Sequence, residues 1–329
     1  MLIEISEPSQ AGEARRKALA YAEDLSVGEV RCSQIALVTT EIATNLIKHA
    51  GRGHILIQHF RQNGNSGIRV LGVDKGPGIA DVNRALADGH STAGTLGTGL
   101  GAVRRISDSF DLYSAPGVGT VVSAEFKLEK TSHSSTIPIQ IGVVSEALAG
   151  EEECGDGWGV RSFADGVTLM VVDGLGHGLL ASEAAREGER VFFSTKETSP
   201  RNILQDAHMA LKKTRGAAMS IARIDLEKRL LSFAGVGNVS ACIVAPGSSR
   251  SLAWHNGTLG QQMERLQEFI APWNQDSILV MHSDGLASRW DLERYPGIWM
   301  KHPSMIAALL HRDFTRGRDD VTVLVAKAA

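Results

Sequence analysis

The sequence predicts an α+β chain folded as two domains, and three observations carry that expectation. Its 329 residues are about twice the ~150 of a common domain. A polar stretch, Lys127-Leu-Glu-Lys-Thr-Ser-His-Ser-Ser-Thr136 with Pro138 after it, has the composition of a linker. The parts on either side differ in pattern, the first opening with helices and the second being rich in strands. The expected division is a domain at 1–128, a linker at 129–138 and a domain at 139–329.

The first part reads helix, helix, strand, strand, a long glycine-rich connection, a helix and closing strands. Ile35, Val38, Ile42 and Leu46 recur at helical spacing and mark the buried face of the second helix. Beside that face lies a polar stripe of Glu41, Asn45 and Lys48. Glu41 and Asn45, four apart, share one side and can point into one pocket. Strand-like runs follow at 55–60 and 68–73. The second leads into Val73-Asp-Lys-Gly-Pro-Gly-Ile79, where an aspartate at a strand end can accept a hydrogen bond from an exocyclic amine. Next comes Gly94-Thr-Leu-Gly-Thr-Gly-Leu-Gly101, running into a helix at 102–107. Closely spaced glycines at a helix start leave backbone N–H groups exposed to phosphate oxygens. No lysine follows the last glycine, so this is not a P-loop. Gly117-Val-Gly-Thr-Val121 opens the last strand.

The second part places four aspartates in short motifs: Cys154-Gly-Asp-Gly-Trp158, Asp173-Gly-Leu-Gly-His-Gly178, Ser283-Asp-Gly285 and Arg318-Asp-Asp-Val-Thr322. The last three adjoin β-branched runs at 169–172, 278–281 and 321–325, and helices are expected at 179–195, 201–214 and 304–312. One Asp-Gly is a common turn. Four carboxylates at strand ends are the oxygen ligands that hard divalent cations prefer, and two such cations can turn a bound water into a nucleophile for phosphoester hydrolysis.

Composition narrows the remaining choices. Hydrophobic residues make up 43% and charged ones 22%, with a net charge of −3, as in ordinary globular proteins and against nucleic acid as a partner. No apolar run is long enough to span a bilayer, and the first ten residues, with two glutamates, do not read as a signal peptide. A cytoplasmic protein without a membrane partner is expected. Cys32, Cys154 and Cys242 read as free thiols. His49, His54 and His59 do not share a helical face, so zinc is not expected there.

The aspartate series resembles the metal-dependent serine/threonine phosphatases, the PPM family, in its small SpoIIE/RsbX-like bacterial branch, over residues 139–325. The resemblance implies an α-β-β-α sandwich that uses magnesium or manganese. It gives Asp173 the bridge between two metals, the Gly174 carbonyl a bond to one, and Asp284 and Asp319 the completion of the other. Asp156 holds the second metal directly or through water, and Asp320 supports the ligands. Asp173 and Asp284 are thereby the catalytic carboxylates. Larger relatives carry a phosphate-gripping arginine that this branch lacks, and the sequence shows no evident substitute.

The first part, over residues 6–126, resembles the Bergerat ATP-binding fold, an α/β sandwich, and within it the RsbT-like serine kinases. By that likeness Asn45 ligates the ATP-bound magnesium, Asp74 recognises the adenine amine and Glu41 is the general base. Lys48, Gly76, Gly78 and Thr120 line the nucleotide. The Gly94, Thr95, Gly97, Thr98, Gly99, Leu100 and Gly101 segment holds phosphates. The combined expectation is a bifunctional regulator of a partner-switching circuit, a kinase and an opposing phosphatase acting on STAS-domain proteins. Its rival makes the first part an ATP-gated module that sequesters a sigma-factor regulator or another output protein. A histidine kinase is disfavoured, because no phosphoacceptor helix pair precedes the ATP-binding part.

Overall fold

The computed structural model describes residues 1–62, 65–86, 99–130, 138–263 and 266–329. Two compact units emerge, one of Met1–Ser134 with Arg294–Lys301 and one of Ser135–Glu293 with His302–Ala329.

The first unit runs β1 (Leu2–Ile5), α1 (Pro8–Asp24), α2 (Glu29–Asn45), β2 (Gly53–Gln62), β3 (Asn65–Asp74), α3 (Val82–Leu86), α4 (Gly99–Ile106), β4 (Ser109–Ala115) and β5 (Gly119–Lys130). Its antiparallel sheet has the order β1-β2-β3-β5-β4. Alternate residues of the sheet, Ile55, Ile57, Ile68 and Val70, face Ile35, Val38 and Ile42 of α2 in one core. Helix α1 joins that core through the small stripe Ala11, Ala14, Ala18 and Ala22, which lets it lie close against α2. Its start is fixed by Pro8 at the first turn and by the Gln10 side chain, which accepts from the Ser6 and Glu7 backbone N–H groups.

Two features of α2 position the polar residues that follow. Gly72 of β3 faces Ile42, and a Cβ at Gly72 would run into Ile42 Cγ2. The missing side chain lets the helix settle onto the strand that ends in Asp74. Directly after Asn45 the helix widens into a π turn over Leu46–Ala50, a feature common at functional sites.

The second unit comprises β6 (Ile139–Glu146), β7 (Asp156–Phe163), β8 (Gly166–Gly174), α5 (Leu179–Ser194), α6 (Pro200–Leu211), β9 (Ala217–Asp225), β10 (Leu230–Val236), β11 (Ser240–Ala245), β12 (Ser248–Leu252), the short pair β13 (Gly257–Thr258) and β14 (Gln262–Met263), β15 (Phe269–Pro272), β16 (Ile278–His282), α7 (Pro303–Phe314) and β17 (Val321–Ala328). One sheet has the order β15-β10-β9-β8-β7 and the other β12-β11-β16-β17-β6. Leu169, Val171 and Ala222 of the first sheet meet Leu279, Met281 and Leu324 of the second in the central core. The opposite face of the first sheet, with Met170, Val172 and Met219, is covered by Phe192, Ile203 and Leu204 of α5 and α6. Helix α7 packs on β6 and β17. The result is an α-β-β-α sandwich.

Three details depart from the sequence reading. Strand β1 is too short and too far from its partner β2 to register as a periodic run, yet it pairs along its whole length with Gly53–Leu56. Glu129 and Lys130, read as linker, continue β5. Arg294–Lys301, read as part of the second domain, groups with the first unit: Ile298 is fully buried and Lys301 Nζ lies 2.6 Å from Asp111 Oδ1 on β4. Among the described residues no helix is long and apolar enough to cross a membrane.

The Gly72–Ile42 approach makes a direct prediction. Gly72→Val overpacks the seam between α2 and β3 and should lower the unfolding free energy of the first unit within the full-length protein by ~1–3 kcal/mol, read from urea denaturation.

Candidate active sites

In the first unit, Glu41 and Asn45 lie one turn apart on α2, both half-buried. The Asn45 side-chain amide nitrogen is buried without a hydrogen-bond partner. A buried orphan donor is costly unless something fills its place. Lys48 is exposed in the π turn. Asp74 ends β3, and its Oδ1 accepts from the N–H groups of Gly76 at 2.7 Å and Thr120 at 3.1 Å. The carboxylate thus anchors both the Gly76 turn and the start of β5. Gly78, at φ +75°, packs so closely on the Ala115 carbonyl that no side chain fits. Ser114 Oγ accepts from the Ile79 N–H at 2.8 Å and lies 2.9 Å from Thr120 Oγ1. Thr120 is itself buried. Gly99, Leu100 and Gly101 form the first turn of α4, whose N–H groups lack helical partners. Gly94, Thr95, Gly97 and Thr98 lie outside the described residues. The Asn45 amide, whose oxygen can meet a cation, the anchored carboxylate as an acceptor and the free N–H groups at the start of α4 fit a nucleotide and its cation.

In the second unit the sheet brings the aspartates together. Asp156 opens β7 and Asp173 stands near the end of β8, and the two are direct partners across the antiparallel pair. Asp284 follows β16 and Asp319 precedes β17, neighbouring strands of the other sheet. Their acidic neighbours raise the proton affinity of Asp156 and Asp173. Burial first, then the charges of Asp156, Asp284, Asp319 and Asp320, push Asp173 up to about 9. Burial pushes Asp156 up to about 7 even though Ser283 Oγ donates to its Oδ2 at 2.6 Å. Among the described residues no three of the acids close around one point.

The surrounding residues hold the carboxylates in place. Asp320 accepts from the Leu148 N–H at 2.8 Å and the Gly155 N–H at 3.0 Å, tying the loop before Asp156 to β17. Ser283 Oγ also accepts from the Thr322 N–H at 2.9 Å. Asn238 Nδ2 donates to Asp284 Oδ2 at 2.5 Å. Gly174 packs against the Ala181 carbonyl where a Cβ would not fit, and its N–H donates to the Gly155 carbonyl at 2.9 Å. His177 pairs with Glu151 at 2.5 Å. Sequence reasoning passed over Ser283 and Asn238, because a serine and an asparagine in turns carry no signal until the strands meet. A cluster rich in carboxylates, with no basic partner on Asp156 or Asp173 among the described residues, suits hard divalent cations.

Comparison with known proteins fits this geometry. The profile of Stage II sporulation protein E (SpoIIE) matches residues 164–329, just over half of the chain. The chain belongs to the SpoIIE family. Within it, residues 5–126 match the histidine kinase-like ATPase domain. The serine/threonine-protein kinase RsbT of Bacillus subtilis is 38% identical over 111 residues, 34% of this chain and 84% of RsbT. The phosphoserine phosphatase RsbX of the same organism is 27% identical over 161 residues, 49% of this chain and 78% of RsbX. A crystal structure of RsbX with magnesium covers 60% of this chain and 98% of its own at 25% identity, with a TM-score of 0.51. A structure from work on the bacterial stressosome covers 57% and 99% at 28% identity, with a TM-score of 0.54. This SpoIIE-family chain is therefore a serine/threonine phosphatase joined to a kinase-like ATPase domain.

The raised carboxyls set a pH dependence. In the metal-free protein a folded Asp173 keeps its proton after the unfolded chain has lost its own, so the folded state binds more protons between about pH 4 and pH 9. Stability must fall as pH rises through that window. Asp173→Asn removes the titrating group, so its melting temperature in a chelator should exceed that of the unaltered protein by more at pH 9 than at pH 6. Scanning calorimetry at the two pH values checks it, and an equal gap would remove burial of a repelled carboxylate as the cause.

Proposed function

We propose that this chain sets the phosphorylation state of small STAS-domain proteins in a partner-switching circuit. The second unit removes phosphate from serine or threonine with magnesium or manganese, and the first adds it from ATP. The observation that supports this most directly is the pairing of Asp156 with Asp173 beside Asp284 and Asp319, next to a family match for each half. In this reading Asp173, the Gly174 carbonyl, Asp156, Asp284 and Asp319 would hold the cations. Divalent cations bound there would supply a nucleophile from water near neutral pH. Ser283, Asn238 and Asp320 keep the carboxylates aimed.

On the kinase side Asn45 holds the ATP-bound magnesium and Asp74 recognises the adenine amine, with Thr120 beside the base. Gly76 and Gly78 shape the turn under the nucleotide, and Gly99–Gly101 meet its phosphates. Glu41 receives the proton of the substrate hydroxyl. The setting is the cytoplasm, where ATP and reduced thiols coexist.

The decisive experiment incubates the protein with ATP, magnesium or manganese and STAS-domain proteins, and follows substrate phosphate by mass. Asp173→Asn should slow dephosphorylation ~100-fold or more and let phosphorylated substrate accumulate. Asp74→Asn should weaken ATP binding by ~1.5–3 kcal/mol, measured by calorimetry, and should block phosphorylation while sparing the phosphatase. The double mutant should show both defects near-additively. Tight ATP binding with no phosphotransfer in any variant would instead make the first unit an ATP-gated sequestering module.

A further inference from the structure

Two domains joined by one linker can move and work independently, but this chain passes between its units more than once. It leaves the second unit after Glu293, adds Arg294–Lys301 to the first, and returns at His302. Within the added segment Tyr295 and Ile298 are buried, and Gly297, at φ +79°, starts a short 3-10 turn over Ile298–Met300. Its last residue, Lys301, pairs through Nζ with Asp111 Oδ1 of β4 at 2.6 Å.

Strand β4 serves the nucleotide site as well. Beyond Asp111 in the same strand, Ser114 Oγ accepts from the Ile79 N–H at 2.8 Å and lies 2.9 Å from Thr120 Oγ1. The Ala115 carbonyl, next along, leaves no room for a side chain at Gly78. The same turn and the same start of β5 are the ones that Asp74 organises through Gly76 and Thr120. A nucleotide settling there bears on the strand that holds Lys301.

The residue after Lys301 caps α7. His302 Nδ1 accepts from the Ser304 N–H at 3.1 Å, and Gly142 of β6 packs so closely on the Pro303–Ser304 backbone that no side chain fits. The helix runs for 12 residues, about 18 Å at ~1.5 Å per residue, and its far end meets the turn after Asp284. There the Ala287 N–H donates to the Phe314 carbonyl and the Arg316 N–H to the Gly285 carbonyl, each at 2.8 Å, while Leu286 bridges Thr315. Gly285 lies in turn against the Asp320 carbonyl. One rigid helix thus joins Lys301 to the backbone that carries Asp284 and Asp319.

We propose that adenine nucleotide in the first unit controls metal binding in the second through the Lys301–Asp111 pair and α7. A partly exposed ion pair is weak, so it can open and close with the nucleotide, and packed, rigid elements carry the change onward. The proposal rests on the nucleotide and metal assignments above. The test uses the full-length protein, a phosphoserine peptide, buffered free manganese, and ADP in place of ATP so that no phosphotransfer intervenes. ADP should shift the manganese concentration for half-maximal phosphatase activity by ~5-fold or more, and should alter amide hydrogen exchange along α7. Lys301→Ala and Asp111→Ala should each remove both effects, while activity without ADP and the binding of ADP stay in place. Lys301→Gln and Asp111→Asn carry the same comparison if an Ala variant fails to fold. ADP bound by calorimetry with neither effect overturns the proposal, as do effects that persist in both folded variants. Absence of ADP binding would instead overturn the nucleotide assignment beneath it, and turnover without manganese or magnesium the aspartate assignment.

Discussion

Repulsion between buried carboxylates is the constraint around which the second unit is built. The register that seats Asp156 opposite Asp173 puts two acids on neighbouring strands at one end of the sheet, and β16 and β17 deliver Asp284 and Asp319 to the same place. Such an arrangement costs stability on its own, as the upward displacement of both acids shows. The sandwich tolerates it because the two sheets are joined by an extensive apolar core. Cations bound at such a site would offset the repulsion and add stability.

The residues around the acids show how the cost is contained. Ser283 donates to Asp156 and accepts from Thr322, so one hydroxyl connects the two sheets. Asp320 faces two backbone N–H groups, which stabilise its charge and fix the loop carrying Asp156. In the first unit the acid has another role. Asp74 accepts from Gly76 and Thr120 at a strand end, and its carboxylate organises a turn.

Much of this was legible in the sequence because it follows from local rules. The face of Ile35, Val38 and Ile42 is a periodicity, and all three are buried as that spacing requires. The strands before Asp284 and after Asp320 are apolar runs rich in β-branched residues. The likeness of both halves to known families was also carried by short motifs, since glycine spacing and Asp-Gly pairs lie within a few residues of one another. Strand β1 and the Arg294–Lys301 segment escaped notice because their partners are distant in the chain, and no local pattern announces a distant partner.

The sequence by itself determined the fold class and the likeness of each part to a known family, because charge, glycine content and periodicity are properties of short segments. Only the tertiary structure decided which groups meet. The Asp156–Asp173 pairing, the Ser283 bridge and the Asn238–Asp284 bond each join residues far apart in sequence. Strand register and loop closure set those distances, and both depend on the packing of the whole sandwich rather than on any residue's neighbours in the chain.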